Sequence, residues 1–170
     1  NQDTALGTGH AILCTLPFLE NYKKNIYLIL GGDTPFIKSE TLKVIMNKID
    51  DAIILVSKKE NPYGYGRIVI ENNRCKKIIE EKDANEIEKK IKVVNGGIYG
   101  FHIPILFEYL PKINNNNSQS EYYLTDIFEF LEKDKKSIQI HELSLQNQFE
   151  LLGVNTTEQL NTLEELAATI

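Results

Sequence analysis

The chain has 170 residues, 42% hydrophobic and 25% charged, the proportions of an ordinary globular protein and a length suited to one core. Lys and Arg number 19 against 24 Asp and Glu, a net charge of −5, and the basic residues are scattered, which disfavours polymer nucleic acid as a partner. The longest apolar runs, residues 26–30 and 52–56, fall far short of the roughly 20 residues that cross a bilayer, so no membrane span is expected. Cys14 and Cys75 stand apart, without a CxxC pair or clustered histidines, which fits neither a zinc site nor a disulfide scaffold and points to a cytoplasmic protein. The sequence opens at Asn1 with neither a basic segment nor an apolar signal core, and no targeting peptide is visible.

Residues 6–10 hold a Gly-Thr-Gly turn, and Ile12, Leu13, Leu16 and Leu19 then recur at helical spacing. Residues 26–30 form a continuous apolar run stopped by Gly31-Gly32-Asp33-Thr34-Pro35, the pattern of a buried strand ending in a turn. Ser39 is expected to cap a helix reaching about Asp50, followed by a second apolar strand over residues 52–56. After a turn-rich loop at residues 61–66, two strands around Asn72-Asn73 predict a hairpin. A short charged helix at residues 85–90 precedes a strand over 93–101, whose Gly96-Gly97 pair points to a close backbone approach. Residues 114–118 read as an exposed loop, 123–131 as helical, 138–141 as an edge strand, and Thr156 or Thr157 as the cap of a last helix. The alternation of helices with fully apolar strands predicts an α/β domain: a mostly parallel sheet with flanking helices and a small β-hairpin insertion.

The chemistry-bearing residues sit at the ends of these elements. Gly7-Thr8-Gly9 supplies small residues at a helix start, where unpaired N–H groups favour a phosphate or a base carbonyl. The same residues suit a tight turn before a packed helix, and the segment matches neither a dinucleotide fingerprint nor a P-loop. Asp33, just past a strand, either ligates a hard cation such as Mg²⁺ shared with substrate phosphates or accepts backbone bonds within its own turn. Gly66, Glu80 and Asn95-Gly96-Gly97 recur at strand ends, as a sheet presents amide and carboxylate groups to sugar hydroxyls; each read singly is a loop, a solvated strand end or a bulge. Asn155 is a turn residue or a second metal ligand, and Tyr122-Tyr123 is core or shows a hydroxyl to a ligand. His10, His102 and His141 are isolated and read as structural, and neither cysteine reads as a nucleophile.

Taken in order, LGTGHA, GGDTPF, NPYGYGRI, IIEEKDA, VVNGGIYG, NNNNSQSEYYLTDI and LLGVNTTEQL resemble the uridyltransferase domain of bacterial N-acetylglucosamine-1-phosphate uridyltransferases, bifunctional enzymes that also carry an acetyltransferase. The resemblance runs nearly end to end. It implies a Rossmann-like, GT-A-like nucleotidyltransferase fold that forms UDP-N-acetylglucosamine and pyrophosphate from UTP and N-acetylglucosamine 1-phosphate, for cell-envelope precursor synthesis. It implies that Gln2, Gly7 and Thr8 hold the uracil, that Asp33 and Asn155 hold a catalytic Mg²⁺, and that Gly66, Glu80, Asn95, Tyr123 and Thr125 contact the amino sugar. Another NDP-sugar pyrophosphorylase and a non-catalytic nucleotide-sugar-binding fragment are the alternatives.

Three departures from the family pattern stand out. The family's first strand and Gly-rich loop, with a later lysine, belong before Asn1, so residues 1–170 are expected to be a partial nucleotidyltransferase domain, inactive by itself. The family's usual Tyr before Gly-Asp is Gly31, and the usual Thr after the sugar-binding Asn is Gly96. The helix over residues 156–170 would lead to a C-terminal β-helix acetyltransferase domain, and a homotrimer is expected only if the full protein carries that domain.

Overall fold

A computed structural model describes residues 2–22, 24–154 and 156–168. Its strands are β1 (Ile26–Ile29), β2 (Ala52–Lys58), β3 (Arg67–Glu71), β4 (Arg74–Ile79), β5 (Val93–His102) and β6 (Ile138–Glu142). They form one six-stranded sheet in the order β4-β3-β5-β2-β6, with β1 also paired to β5. The α-helices are α1 (Thr8–Leu13), α2 (Leu16–Leu19), α3 (Ser39–Lys48), α4 (Ile103–Tyr109), α5 (Ile127–Lys133) and α6 (Thr157–Ala167).

Strand β2 is apolar from Ala52 to Val56 because both of its faces are covered there. Ala52, Ile54 and Val56 join a core with Leu16 of α2, Leu106 of α4 and Ile127, Phe128 and Leu131 of α5. The alternate residues Ile53 and Leu55 join Ile45 of α3, Ile98, Leu143 and Leu151 on the opposite face. The domain is thus a helix–sheet–helix sandwich, and each fully buried Ile or Leu contributes about 1.5–3 kcal/mol. On the first face the rings of Tyr99, Phe101 and Phe128 meet at centroid distances of 5.6–6.3 Å, a geometry worth more than its area alone.

The expectation of a mostly parallel sheet needs correcting. The β2–β6 pair is parallel, whereas β1–β5, β2–β5, β3–β4 and β3–β5 are antiparallel. The helix–strand alternation does make β1, β2 and β6 run the same way. Strand β5 enters later in the chain and inserts between β1 and β2 in the opposite direction, and an apolar run reads alike in either direction.

Local signals explain most of the elements. Asn72 and Asn73 both have positive φ, 50° and 59°, as a two-residue turn between β3 and β4 requires. The helical run at residues 11–19 breaks into two pieces at Cys14-Thr15, with Pro17 in the first turn of the second. The cap of α3 is Lys38 rather than Ser39, and the Lys38 N–H donates to the buried Glu150 carboxylate at 3.1 Å. Thr156 caps α6 in a reciprocal pair with Gln159.

One detail of the pairing positions the site. Along one edge of β5, β1 pairs with residues 99–102 and β3 with Val94. Residues 95–98 therefore lie between the end of one strand and the start of another. On the far side of β5 the register with β2 shifts between Ile54 and Val56, the local kink of a β-bulge.

Candidate functional site

The interval between β1 and β3 opens into a two-chambered cleft. One chamber, about 530 Å³, is lined by the residues 63–66 loop, Gly31, Asp33, Glu80, residues 95–97, Leu151, Gly153 and Gln159. The other, about 410 Å³, is lined by Thr8, Ala11 and Ile12 of α1, Ile29, Leu30, Tyr99, Leu124 and Thr125. The two share Gly31, Asp33, Glu80, Asn95 and Gly97. Both are of the size that small-molecule sites use.

One wall carries two hydrogen-bonded groups. Glu80, just past β4, accepts from the Thr125 hydroxyl at 2.8 Å. Burial pushes its carboxyl up from the usual range, the Thr125 hydrogen bond offsets part of that, and the charge of Asp83 adds to it. Asn95 donates its side-chain N–H to the Tyr99 hydroxyl at 2.6 Å, accepts from the Gly97 N–H at 2.9 Å, and gives its backbone N–H to the Gly66 carbonyl at 2.8 Å. A Cβ at Gly96 would lie 2.7 Å from the Leu55 carbonyl and 2.8 Å from Leu151, so glycine stands there because the bulge leaves no room for a side chain.

The opposite wall is more open. Asp33 is exposed in the loop after β1, and a Cβ at Gly31 would meet its carboxylate at 2.4 Å. Its backbone carbonyl accepts from the Val154 N–H at 2.9 Å. Asn155, expected as its metal-ligating partner, lies outside the described residues. Among the described residues no three His, Cys, Asp or Glu side chains cluster as a metal-ion site. The Asp33 carboxylate offers the hard oxygen donor that a phosphate-bound divalent cation takes.

The Gly-Thr-Gly segment serves the fold as well as the cleft. The Gly9 N–H donates to the Tyr122 carbonyl at 2.7 Å, Tyr122 donates to Leu6 at 2.8 Å, and Leu124 donates to the Thr8 hydroxyl at 3.1 Å. Gly7 has φ +106°, and a Cβ there would lie 2.7 Å from the Tyr122 carbonyl, so the close approach of residues 121–124 accounts for the glycine. Gln2 donates to the Gly7 carbonyl at 3.2 Å and lies 2.7 Å from His10 Nδ1, placing His10 as a structural partner of this turn.

Of the sequence-derived residues, the fold brings Thr8, Asp33, Gly66, Glu80, Asn95 and Thr125 to the cleft. Gln2 and Gly7 stand behind Thr8. Tyr123 lines neither chamber; its hydroxyl accepts from Gln119 at 2.8 Å, beside Asp83 and Asp126. Burial, with Glu129, Glu80 and Asp83 nearby, pushes the Asp126 carboxyl up to about 6. Cys75 is buried, which with Glu132 pushes its thiol up to about 12, and so is not a nucleophile at neutral pH. Tyr63, Tyr99 and Leu124 are lining residues that sequence reasoning passed over. Tyr99 lies four positions after Asn95 on one strand, and only the bulge lets the two side chains meet.

A mixed sheet with flanking helices that brings two carboxylates, an amide and glycine backbone to one cleft defines an α/β protein with a pocket of small-molecule size. The nucleotidyl transferase family model matches residues 1–144, and the chain belongs to that family. It is 46% identical over 97% of its length to the Bifunctional protein GlmU of Francisella tularensis subsp. holarctica (strain OSU18) and, equally, to that of subsp. novicida (strain U112). It spans 36% of the length of these relatives. A crystal structure described as a glucose-1-phosphate thymidylyltransferase from Bacillus anthracis in complex with sucrose shares the fold, with a TM-score of 0.64 and 20% identity over 94% of this chain and 67% of that one.

Proposed function

We propose that this chain is the larger part of a uridyltransferase domain that joins UTP to N-acetylglucosamine 1-phosphate, giving UDP-N-acetylglucosamine and pyrophosphate. The observation that carries the reading is the bonded wall of Gly66, Glu80, Asn95 and Thr125, a set of fixed donors and acceptors suited to a sugar, facing Asp33 across one cleft. The 46% identity to bifunctional GlmU proteins supports the choice of reaction. Cell-envelope precursor synthesis in the cytoplasm is the corresponding role.

In this reading Glu80 and Asn95 bind the amino sugar and hold its phosphate toward the Asp33 side. Thr8 at the start of α1, backed by Gly7 and Gln2, faces the uracil. Asp33, with Asn155 as the expected second ligand, would hold a Mg²⁺, which when bound neutralises charge on the phosphates. The protein's contribution is alignment: the sugar phosphate oxygen and the α-phosphorus are held in line, and no covalent enzyme intermediate is required. That agrees with His10 serving the Gly-Thr-Gly turn and with an inert Cys75.

Among the described residues β1 pairs with β5 alone, and in a longer protein its other edge is where a further strand would pair and carry the triphosphate-binding loop. In a longer protein α6 would lead on to an acetyltransferase domain, and trimerisation would belong to that domain. The test is pyrophosphate release by the full-length protein across a panel of nucleoside triphosphates and sugar 1-phosphates. Preference for UTP with N-acetylglucosamine 1-phosphate is the expected result. Preference for another pair assigns a different NDP-sugar pyrophosphorylase, and binding without turnover assigns a binding module.

A further inference from the structure

Arg67 is the largest fully buried side chain among the described residues, 1% exposed, and the cleft does not touch it. A buried guanidinium persists only where its donors are matched. Its Nη2 donates to Glu81 Oε2 at 2.6 Å, its Nη1 donates to the Tyr65 carbonyl, and its Nε donates to the Lys89 carbonyl at 3.3 Å. The same Glu81 oxygen accepts the Gly64 N–H at 3.0 Å. One carboxylate thus grips both ends of the segment over residues 64–67, within which the Gly66 carbonyl accepts from the Asn95 N–H. Neighbouring residues divide the work: Glu80 lines the cleft and Glu81 holds the loop beside it.

We propose that Arg67 and Glu81 are a positioning pair that fixes the residues 61–66 loop as the sugar-side wall of the cleft. The inference rests on the uridyltransferase reading for the identity of the ligand, and on the hydrogen bonds alone for the clamp. Exposed loops ordinarily open and close more freely than the sheet beneath them. Here charge-assisted bonds to one carboxylate tie Gly64 to Arg67 at the loop's end, and such bonds are about twice as strong as neutral ones. Burial works against the Glu81 carboxylate, but the hydrogen bonds from Arg67 and Gly64 and the Arg67 charge outweigh it and hold its carboxyl below the usual range.

The test uses the full-length protein with Glu81→Ala, Glu81→Gln and Arg67→Lys. Glutamine keeps one acceptor oxygen for both donors, and lysine lacks the planar fork that reaches Tyr65, Glu81 and Lys89 from three separate nitrogens. Amide hydrogen exchange across residues 61–66 is expected to accelerate about tenfold in Glu81→Ala and Arg67→Lys, with β2 and β5 unchanged, and to return toward the parent rate in Glu81→Gln. KM for N-acetylglucosamine 1-phosphate is expected to rise about tenfold in the same two variants, with KM for UTP within about twofold and Glu81→Gln restoring the difference. Should Glu81→Ala fail to fold, Arg67→Lys carries both readouts. Unchanged exchange in the loop overturns the clamp, and faster exchange with KM for the sugar phosphate unmoved overturns its role in positioning. If the parent protein shows no turnover of this substrate pair, the uridyltransferase reading falls and the exchange result alone decides the clamp.

Discussion

The two walls of the cleft are built differently. On the side of β3, β4 and β5, Glu80 is hydrogen-bonded to Thr125, and Asn95 to Gly66 and Tyr99, over a packed core. On the side of β1, Asp33 projects from an exposed loop after an edge strand whose four residues are only half-buried. On the proposed uridyltransferase reading, the contrast separates two tasks. A neutral sugar is recognised by many weak, directed bonds, whose donors and acceptors must be set in advance. Phosphate and a hard cation are held by charge, which asks for few groups and tolerates a looser frame.

That contrast can be broken most sharply at Asp33. Asp33→Asn in the full-length protein should lower metal-dependent pyrophosphate release by on the order of a hundredfold or more, while leaving the thermal unfolding midpoint within about a degree. Turnover near the parent rate would move the cation elsewhere. On the bonded wall the effect should fall on folding instead. Gly96→Ala forces a Cβ against the Leu55 carbonyl and Leu151 and should cost about 2 kcal/mol in chemical denaturation.

The smallest effect concerns pH. Burial and the neighbouring carboxylates push the Asp126 carboxyl up to about 6 in the folded protein, against about 3.9 for a free aspartate. Folding is therefore favoured fully below about pH 4, and that contribution is lost as the pH rises through about 6. Partial exposure screens the effect, so Asp126→Asn should stabilise the fold by about 1 kcal/mol at pH 7 and leave it unchanged near pH 4. Equal shifts at both pH values would remove Asp126 from the account.

Much of this was legible in the residues, for identifiable reasons. The continuous apolar run over residues 52–56 marked β2 because both of its faces are covered, and Asn72-Asn73 marked the hairpin because both residues adopt positive φ. The ordered motifs placed Asp33, Glu80, Asn95 and Thr125 on one cleft. The direction of β5 was not legible, because alternation of helices and strands says nothing about a strand inserted later. Nor was the reason for Gly7 and Gly9, which answer to the Tyr122 backbone more than 110 positions away. The Arg67–Glu81 pair escaped because an arginine opening a strand and a run of acids both read as solvated surface until burial is known.

The division between the walls is tested most directly by measuring KM separately for each substrate in the full-length protein carrying Glu80→Gln. Glutamine keeps an acceptor for Thr125 and removes only the charge and one acceptor oxygen facing the cleft. The account predicts that KM for N-acetylglucosamine 1-phosphate rises about tenfold while KM for UTP stays within about twofold. An equal rise for both substrates, or a rise for UTP alone, would contradict the assignment of the bonded wall to the sugar.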